Sequence, residues 1–194
     1  VTAIIKAPKD QEKEVFRLKY ISAGPLATPE LASDQALNEI IHFAQISRNG
    51  LGYARDIMGA NEEDKFEELR GKLVKYEEIS DRIEYEIASY LNEVVKGHLS
   101  EESKARTKAL YKIIGEMESL GDSGEAIGRI LKRRNAHGKV FDKSILDRLN
   151  RMCDLVQKGY DVMIENLKNS ENKDLATATN CEYNINECRN HLRE

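Results

Sequence analysis

The chain has 194 residues, of which 40% are hydrophobic and 33% charged, with three prolines and no tryptophan. This length suffices for one or two compact units, and the composition is typical of long helices rather than of a disordered chain. The net charge of −4 argues against nucleic acid as a partner. The sequence contains no run of 18 apolar residues, so no membrane span is predicted.

The first predicted feature is an entry segment, residues 1–27, with an apolar start, a charged stretch and a turn at Gly24-Pro25. Thr28-Pro29 then carries an N-cap followed by proline at the first helical position. These signals predict a first helix from Thr28 to about Met58, which ends at Gly59.

Four further helices are predicted, because capping signals alternate with apolar residues at steps of three and four. They cover about 61–96, 100–135, 142–169 and 174–194. The third seam is predicted as Leu110, Ile113, Met117, Leu120, Gly124, Ile127 and Leu131, and the fifth as Ala178, Cys181, Ile185, Cys188 and Leu192. Long helices joined by short turns pack antiparallel, so we expect an all-α helical bundle.

An acidic pattern occurs twice, 41 residues apart, on the second and third helices. Acids at i, i+4 and i+7 share one side of a helix. The first copy is Glu77, Asp81 and Glu84, and the second is Glu118, Asp122 and Glu125. In an antiparallel pair both copies lie near the same height, with Ser80 and Gly121 at matched positions where the helices approach closely.

Carboxylates gathered at one height repel, so they turn into water, take up protons or bind a cation. A charged stripe beside a seam is most often solvated. If the acids bind a cation, oxygen ligands favour Mg²⁺, Ca²⁺, Mn²⁺ or iron over a thiolate-type zinc site.

At these residues the chain resembles the PhoU family, which carries an E/D-x-x-x-D motif on two helices of each three-helix bundle. The motif stands here as Glu77-Glu78-Ile79-Ser80-Asp81 and Glu118-Ser119-Leu120-Gly121-Asp122. With Leu18-Lys19-Tyr20-Ile21 and Thr28-Pro29-Glu30-Leu31-Ala32, the chain is similar to the PhoU-like C-terminal domains of bacterial Na⁺/phosphate cotransporters.

The resemblance implies a metal-binding regulatory domain rather than an enzyme. It would lie at the cytoplasmic face of the membrane and control phosphate uptake by contact with a transmembrane transport domain, joined upstream of Val1 on the same polypeptide. The implied ligands are Glu77, Asp81, Glu118 and Asp122, with Glu84 and Glu125 as neighbours. The metal would be divalent or trivalent, with iron, manganese, magnesium and zinc as candidates.

The resemblance also implies two bundles, residues 28–138 and an incomplete second bundle over 139–194. The second bundle has one weak motif copy, Glu182 with Asn186 in place of the terminal aspartate. With only two helices it leaves an apolar stripe uncovered, which predicts truncation, a bound partner or a homodimer.

Three alternatives stay open: a free-standing PhoU-type regulator, a carboxylate-metal enzyme of the ferritin-like type, and a scaffold without metal. Glu39-x-x-His42 matches half of a di-iron motif but lacks a second copy, so we predict a surface pair. Asp154 and Asp161 are spaced by seven without a recognisable partner motif. The three cysteines predict buried thiols in a reducing compartment.

Overall fold

The computed structural model of the chain describes residues 18–21, 28–97, 99–169 and 171–193. They form five helices, which are α1 (Pro29–Met58), α2 (Glu63–Val94), α3 (Glu101–Ala136), α4 (Lys143–Lys168) and α5 (Leu175–Arg193). Within these ranges no strand occurs, so the all-α prediction is confirmed. None of these five helices has an apolar stretch of the length and low charge that crossing a bilayer requires. Apart from 18–21, the predicted entry segment lies outside the described residues.

Polar side chains fix the starts of three helices at the predicted caps. Thr28, Ser100 and Asp142 each accept a hydrogen bond from the backbone N–H three residues on, at 3.2, 3.1 and 2.9 Å. Such bonds satisfy N–H groups that the helix itself leaves unpaired. The second helix differs from the prediction, since it begins at Glu63 rather than Asn61 and its N-cap residue makes no side-chain cap bond.

The end of α3 requires a glycine. Gly138 has a φ of 64°, the left-handed region that glycine adopts without steric cost. Its N–H donates to the carbonyl of Asn135, and the N–H of Lys139 donates to the carbonyl of Arg134. This is a Schellman cap, and it turns the chain from α3 toward α4.

The helices pack as a three-helix bundle with two further helices beside it. Helices α1, α2 and α3 pack on one another, α4 packs on α1, and α5 packs on α4 alone. Side-chain pairs run in opposite chain directions between α1 and α2, α2 and α3, α1 and α4, and α4 and α5. Helices α1 and α3 run in the same direction.

The buried side chains form two clusters, and α4 contributes to both. Ile164 joins the cluster built on Phe43 and Ile87, and Cys153 joins the cluster built on Ile57 and Phe66. Because α4 shares these cores with α1 and α2, the division into 28–138 and 139–194 stays a prediction. All three cysteines are free thiols, two buried and one half-buried.

Ion pairs join α4 to α1 at two heights. Arg48 Nε lies 2.5 Å from Asp161 Oδ1, and Arg55 Nη1 lies 2.7 Å from Asp154 Oδ1. The two aspartates, for which the sequence shows no partner motif, thus form ion pairs with arginines of α1. The arginines are also seven residues apart, so two turns of each antiparallel helix match.

The third seam is buried as predicted at Leu110, Met117 and Leu131 and differs from the prediction between them. Ile114 and Gly128 are buried, whereas Leu120 is 42% exposed and Ile113 and Ile127 are half-buried. The backbones of α1 and α2 lie close to one side of α3, whereas the backbone of α4 does not come close to it. The fifth seam is likewise only partly buried, with Cys181 alone fully inside, since α5 has a single helical neighbour.

Glu39 is not part of a surface pair, because it is fully buried. Its Oε2 accepts the backbone N–H groups of Lys19 and Tyr20 at 2.8 and 2.7 Å, and its Oε1 lies 3.2 Å from His42 Nδ1. Charge-assisted bonds to two successive amides satisfy a carboxylate that burial would otherwise penalise strongly. Glu39 therefore fastens residues 18–21 to α1.

Candidate metal centre

The two acidic motifs lie on one outer face of the α2–α3 pair. Between them Ser80 is 2% exposed and faces α3, while Asp81 and Asp122 are exposed and Glu77 and Glu118 are half-buried. Because residues one and three positions from Ser80 lie to the side of the buried stripe, the acids flank the seam, as the sequence predicts.

Three carboxylates from two helices come together here. Glu77 and Asp81 of α2 and Asp122 of α3 each offer one oxygen, and these oxygens all lie within 4.8 Å of one another. In the part of the chain that the structure describes, no other group of three His, Cys, Asp or Glu side chains meets this condition.

The approach of the helices depends on a missing side chain at Gly121. A Cβ at this position would lie 2.8 Å from Ser80 Oγ and 2.9 Å from Ser80 Cβ, closer than side-chain atoms pack. Only glycine therefore allows α2 and α3 to meet here. Gly128 is also tight, with its Cβ position 3.3 Å from Leu73 Cδ1, whereas Gly124 has ordinary contacts at 3.7 Å.

The contact of Ser80 with Gly121 also sets the register. It brings together the two residues that the sequence places at matched positions. Glu77 consequently faces Asp122 and Glu125, while Glu118 faces Asp81 and Glu84.

The structure thus gathers three of the four predicted ligands and places Glu118 at the other end of the same face. There Glu84 is its neighbour, with Oε1 4.0 Å from the Cβ position of Gly115. Glu118 also accepts a long hydrogen bond of 3.4 Å from Ser119 Oγ. The two exposed aspartates lie between the two glutamates.

The two motifs lie on either side of the Ser80–Gly121 contact. The charges of Asp122 and Glu125 act on Glu77, and those of Asp122, Glu84 and Asp81 act on Glu118. Glu125 is also paired with Arg129 at 3.2 Å.

The pKa values of Glu77 and Glu118 reflect this crowding. Partial burial raises the pKa of Glu77 above its ordinary value, and the charges of Asp81 and Asp122 raise it further. Partial burial also raises the pKa of Glu118, with contributions from Asp122 and Glu84. Both shifts have the same cause, since negative charge lies close together in a partly dehydrated place.

This donor set fits a hard cation. Oxygens bound to such an ion at 2.0–2.6 Å lie roughly 3 Å from one another. The three oxygens lie within 4.8 Å, so side-chain rotation over 1–2 Å brings them to that spacing. Glu77, Asp81 and Asp122 are thus the residues that could hold a metal, and water would complete the coordination.

The weak motif copy on α5 lies apart from this face. Glu182 is exposed and Asn186 is half-buried, on a helix that packs only on α4. Among the described residues neither belongs to the carboxylate group on α2 and α3.

No protein-family model, curated protein or solved structure matches the chain. The likeness to the PhoU family therefore stays a prediction from the motifs and the entry segment. The function has to be inferred from the carboxylate face.

Proposed function

We propose that this chain is a metal-binding regulatory domain of the PhoU type that controls phosphate uptake by contact rather than by catalysis. The transport system would be a Na⁺/phosphate cotransporter, with its transmembrane domain on the same polypeptide and this domain at the cytoplasmic face. A free-standing regulator of phosphate transport is the second candidate.

One observation carries the proposal: Glu77, Asp81 and Asp122 converge from two helices at the place where the repeated motif is found. Oxygens within 4.8 Å repel by about 1 kcal/mol per pair at the dielectric of water and by about 3 kcal/mol at an effective value of 20. The two aspartates are exposed, so the lower figure applies to them. A divalent or trivalent cation would turn this repulsion into attraction.

The surface position of the acids supports a regulatory role over an oxidase. Ferritin-like enzymes hold their metals inside the bundle with Glu-x-x-His motifs from facing helices. Here Asp81 and Asp122 lie on the outer face, and the Glu39–His42 motif is used to bind the backbone of residues 19 and 20. The iron, manganese, magnesium and zinc candidates all suit an exposed carboxylate set, with zinc the least favoured by oxygen donors.

The residues suggest how binding would act on the fold. Asp122 would join the two α2 ligands, so binding links α2 to α3 near the middle of both helices. Glu125 lies near Glu77 and Glu84 lies near Glu118, and each adds a negative charge beside its neighbour. The loaded face would then carry less negative charge and a more rigid α2–α3 pair, which is what a contacting partner would recognise.

The first test is a thermal melt with and without Mn²⁺. At 100 times the Kd a ligand adds about 2.7 kcal/mol, which for a chain of this length is roughly 5–10 °C. The double variant Asp81→Asn with Asp122→Asn should lose this shift. The matched control is Asp154→Asn with Asp161→Asn, which removes two aspartates at α4, outside this face. Equal shifts in all three proteins would refute the metal site.

The second test concerns transport. Phosphate uptake is measured in cells that carry the full-length gene, with the wild-type chain or the Asp81→Asn, Asp122→Asn variant. We expect the variant to change the uptake rate or its response to external phosphate while the protein stays expressed. Unchanged uptake together with an intact Mn²⁺ effect on the wild-type chain would leave a metal-binding bundle without this regulatory role.

A further inference from the structure

An apolar cleft lies between the three-helix bundle and α4. Its volume is about 270 Å³, and α1, α2, α3 and α4 all contribute to its walls. It opens between α4 and α3, because the backbone of α4 comes close only to those of α1 and α5. Leu120 and Ile127, which the sequence assigns to the core, line this cleft instead.

The walls carry no formal charge. Among the described lining residues there is no Asp, Glu, Lys, Arg or His, and most are aliphatic, aromatic or glycine. A charged ligand such as phosphate would be dehydrated here without a partner, which is strongly unfavourable. The chemistry of the cleft therefore selects a neutral and mainly apolar occupant.

Two hydroxyls that line the cleft, those of Tyr160 and Ser80, form no hydrogen bond with a described residue. Tyr160 is 7% exposed, and burial raises its pKa to about 12. No described residue forms a hydrogen bond with its hydroxyl. By contrast, the hydroxyls of Ser47 and Ser123 are satisfied by the carbonyls of Phe43 and Ser119. Among the described residues the fully enclosed side-chain oxygen without a partner is Ser33 Oγ, so the Tyr160 hydroxyl opens onto the cleft, where a ligand can supply the partner that a buried tyrosine ordinarily has.

Tyr160 lines the cleft next to the ion pair of Arg48 with Asp161. Because Asp161 pairs with Arg48, Tyr160 lies near the helical turn 47–50 of α1. Gly50 of that helical turn lies against Tyr76 of α2. Ser80 lines the cleft as well, so the wall between this cleft and the carboxylate face is the Ser80–Gly121 contact.

We propose that this cleft binds a neutral, mainly apolar small molecule with one hydrogen-bonding group, which pairs with the Tyr160 hydroxyl. The cleft volume of about 270 Å³ lies between the roughly 150 Å³ of an apolar cavity that holds benzene and the roughly 300 Å³ at which pockets for drug-sized molecules begin. A two-ring compound is thus of suitable size. The proposal does not depend on metal binding.

The test uses two ligands of matched shape, 2-naphthol and 2-methylnaphthalene. The chain has no tryptophan, so naphthol fluorescence is measured without overlap. The wild-type chain should bind 2-naphthol saturably with a Kd below ~1 mM, which ordinary ligand efficiency allows for this number of atoms. It should bind 2-methylnaphthalene, followed by competition, more weakly.

Two substitutions separate the contributions. Tyr160→Phe should reduce the preference for 2-naphthol by roughly two- to tenfold, the value of one hydrogen bond, and leave 2-methylnaphthalene unaffected. Gly124→Leu places a four-carbon side chain at the cleft and should weaken both ligands more than tenfold. Its control is Gly52→Leu on α1, where an added Cβ meets nothing within 4 Å.

Three results would overturn the proposed ligand site in whole or in part. Absence of saturable binding to the wild-type chain overturns the proposal, and so does equal weakening by Gly124→Leu and Gly52→Leu. An unchanged ligand preference in Tyr160→Phe overturns the assigned hydrogen bond and with it the ligand class. This last comparison does not depend on Gly124→Leu being folded, because Tyr160→Phe removes a single unpaired oxygen.

Discussion

The close approach of α2 and α3 at Gly121 makes a sharp prediction about Gly121→Ala. The new Cβ would lie 2.8–2.9 Å from the Ser80 side chain, whereas ordinary contacts begin at 3.4 Å. The helices must therefore separate by at least about 0.5 Å at the level of the three converging carboxylates.

Two opposing free energies determine the stability of this variant. Overpacking a buried contact costs about 1–3 kcal/mol, while replacing a mid-helix glycine by alanine gains about 0.5–1 kcal/mol. Gly124→Ala is the matched control on the same helix, because its Cβ meets Leu73 at an ordinary 3.7 Å. We expect Gly124→Ala to melt a few degrees higher than the wild-type chain and Gly121→Ala to melt at or below it.

The Mn²⁺ response of Gly121→Ala shows whether the carboxylates have moved apart, in addition to any change in the stability of the fold. If the widened pair weakens Mn²⁺ binding by about tenfold, the metal-induced stabilisation falls by about 1.4 kcal/mol, or roughly 3–6 °C of the thermal shift. Adding Ser80→Gly to Gly121→Ala removes the clash from the other helix. The Mn²⁺ shift should then return, although a glycine at position 80 costs about 1 kcal/mol of helix stability.

The assay is differential scanning fluorimetry of the four proteins over a Mn²⁺ titration, with circular dichroism to verify helix content. Equal melting temperatures and equal Mn²⁺ shifts for Gly121→Ala and Gly124→Ala would refute the argument. A double variant that does not recover the Mn²⁺ shift would do so as well, because the whole effect is expected from the single contact of residues 80 and 121.

Three more outcomes follow from the charges. The pKa values of Glu77 and Glu118 are raised in the folded chain. The stability that these groups contribute is therefore present below their ordinary pKa and is lost as the pH rises through the raised pKa. Between pH 7 and pH 5 the urea midpoint of the metal-free wild-type chain should rise more than that of the Glu77→Gln, Glu118→Gln variant. Removing one charge by Asp81→Asn should stabilise the metal-free chain by about 0.5–1 kcal/mol and abolish the Mn²⁺ shift, and a lower metal-free melting temperature would contradict the repulsion. Glu39→Ala leaves two backbone amides unpaired and should speed their hydrogen exchange at least tenfold. Glu39→Gln should not, because its side-chain oxygen still accepts hydrogen bonds from both amides. Equal exchange rates in the two variants would show that the carboxylate does not fasten residues 18–21.

Much of the fold could be predicted because its determinants are local. The caps at Thr28, Ser100 and Asp142 satisfy backbone groups within four residues, and a glycine after α3 is needed for a left-handed turn whatever else surrounds it. The side of α2 and α3 on which the acids lie follows from helical periodicity alone.

The sequence also predicted the paired motifs but not their exact pairing. The pairing depends on how two surfaces fit, and around the Ser80–Gly121 contact Glu118 faces Glu84 instead of joining the other three acids. The burial of individual side chains could not be predicted from local sequence either. Glu39 looks like a surface acid until residues 19 and 20 cover it, and Leu120 looks like core until α4 fails to reach it. The sequence by itself determined where the helices begin and end and which residues share a side, since these depend on near neighbours. Only the tertiary structure decided which carboxylates meet and which apolar face stays open, because both depend on the distances between helices far apart in the chain.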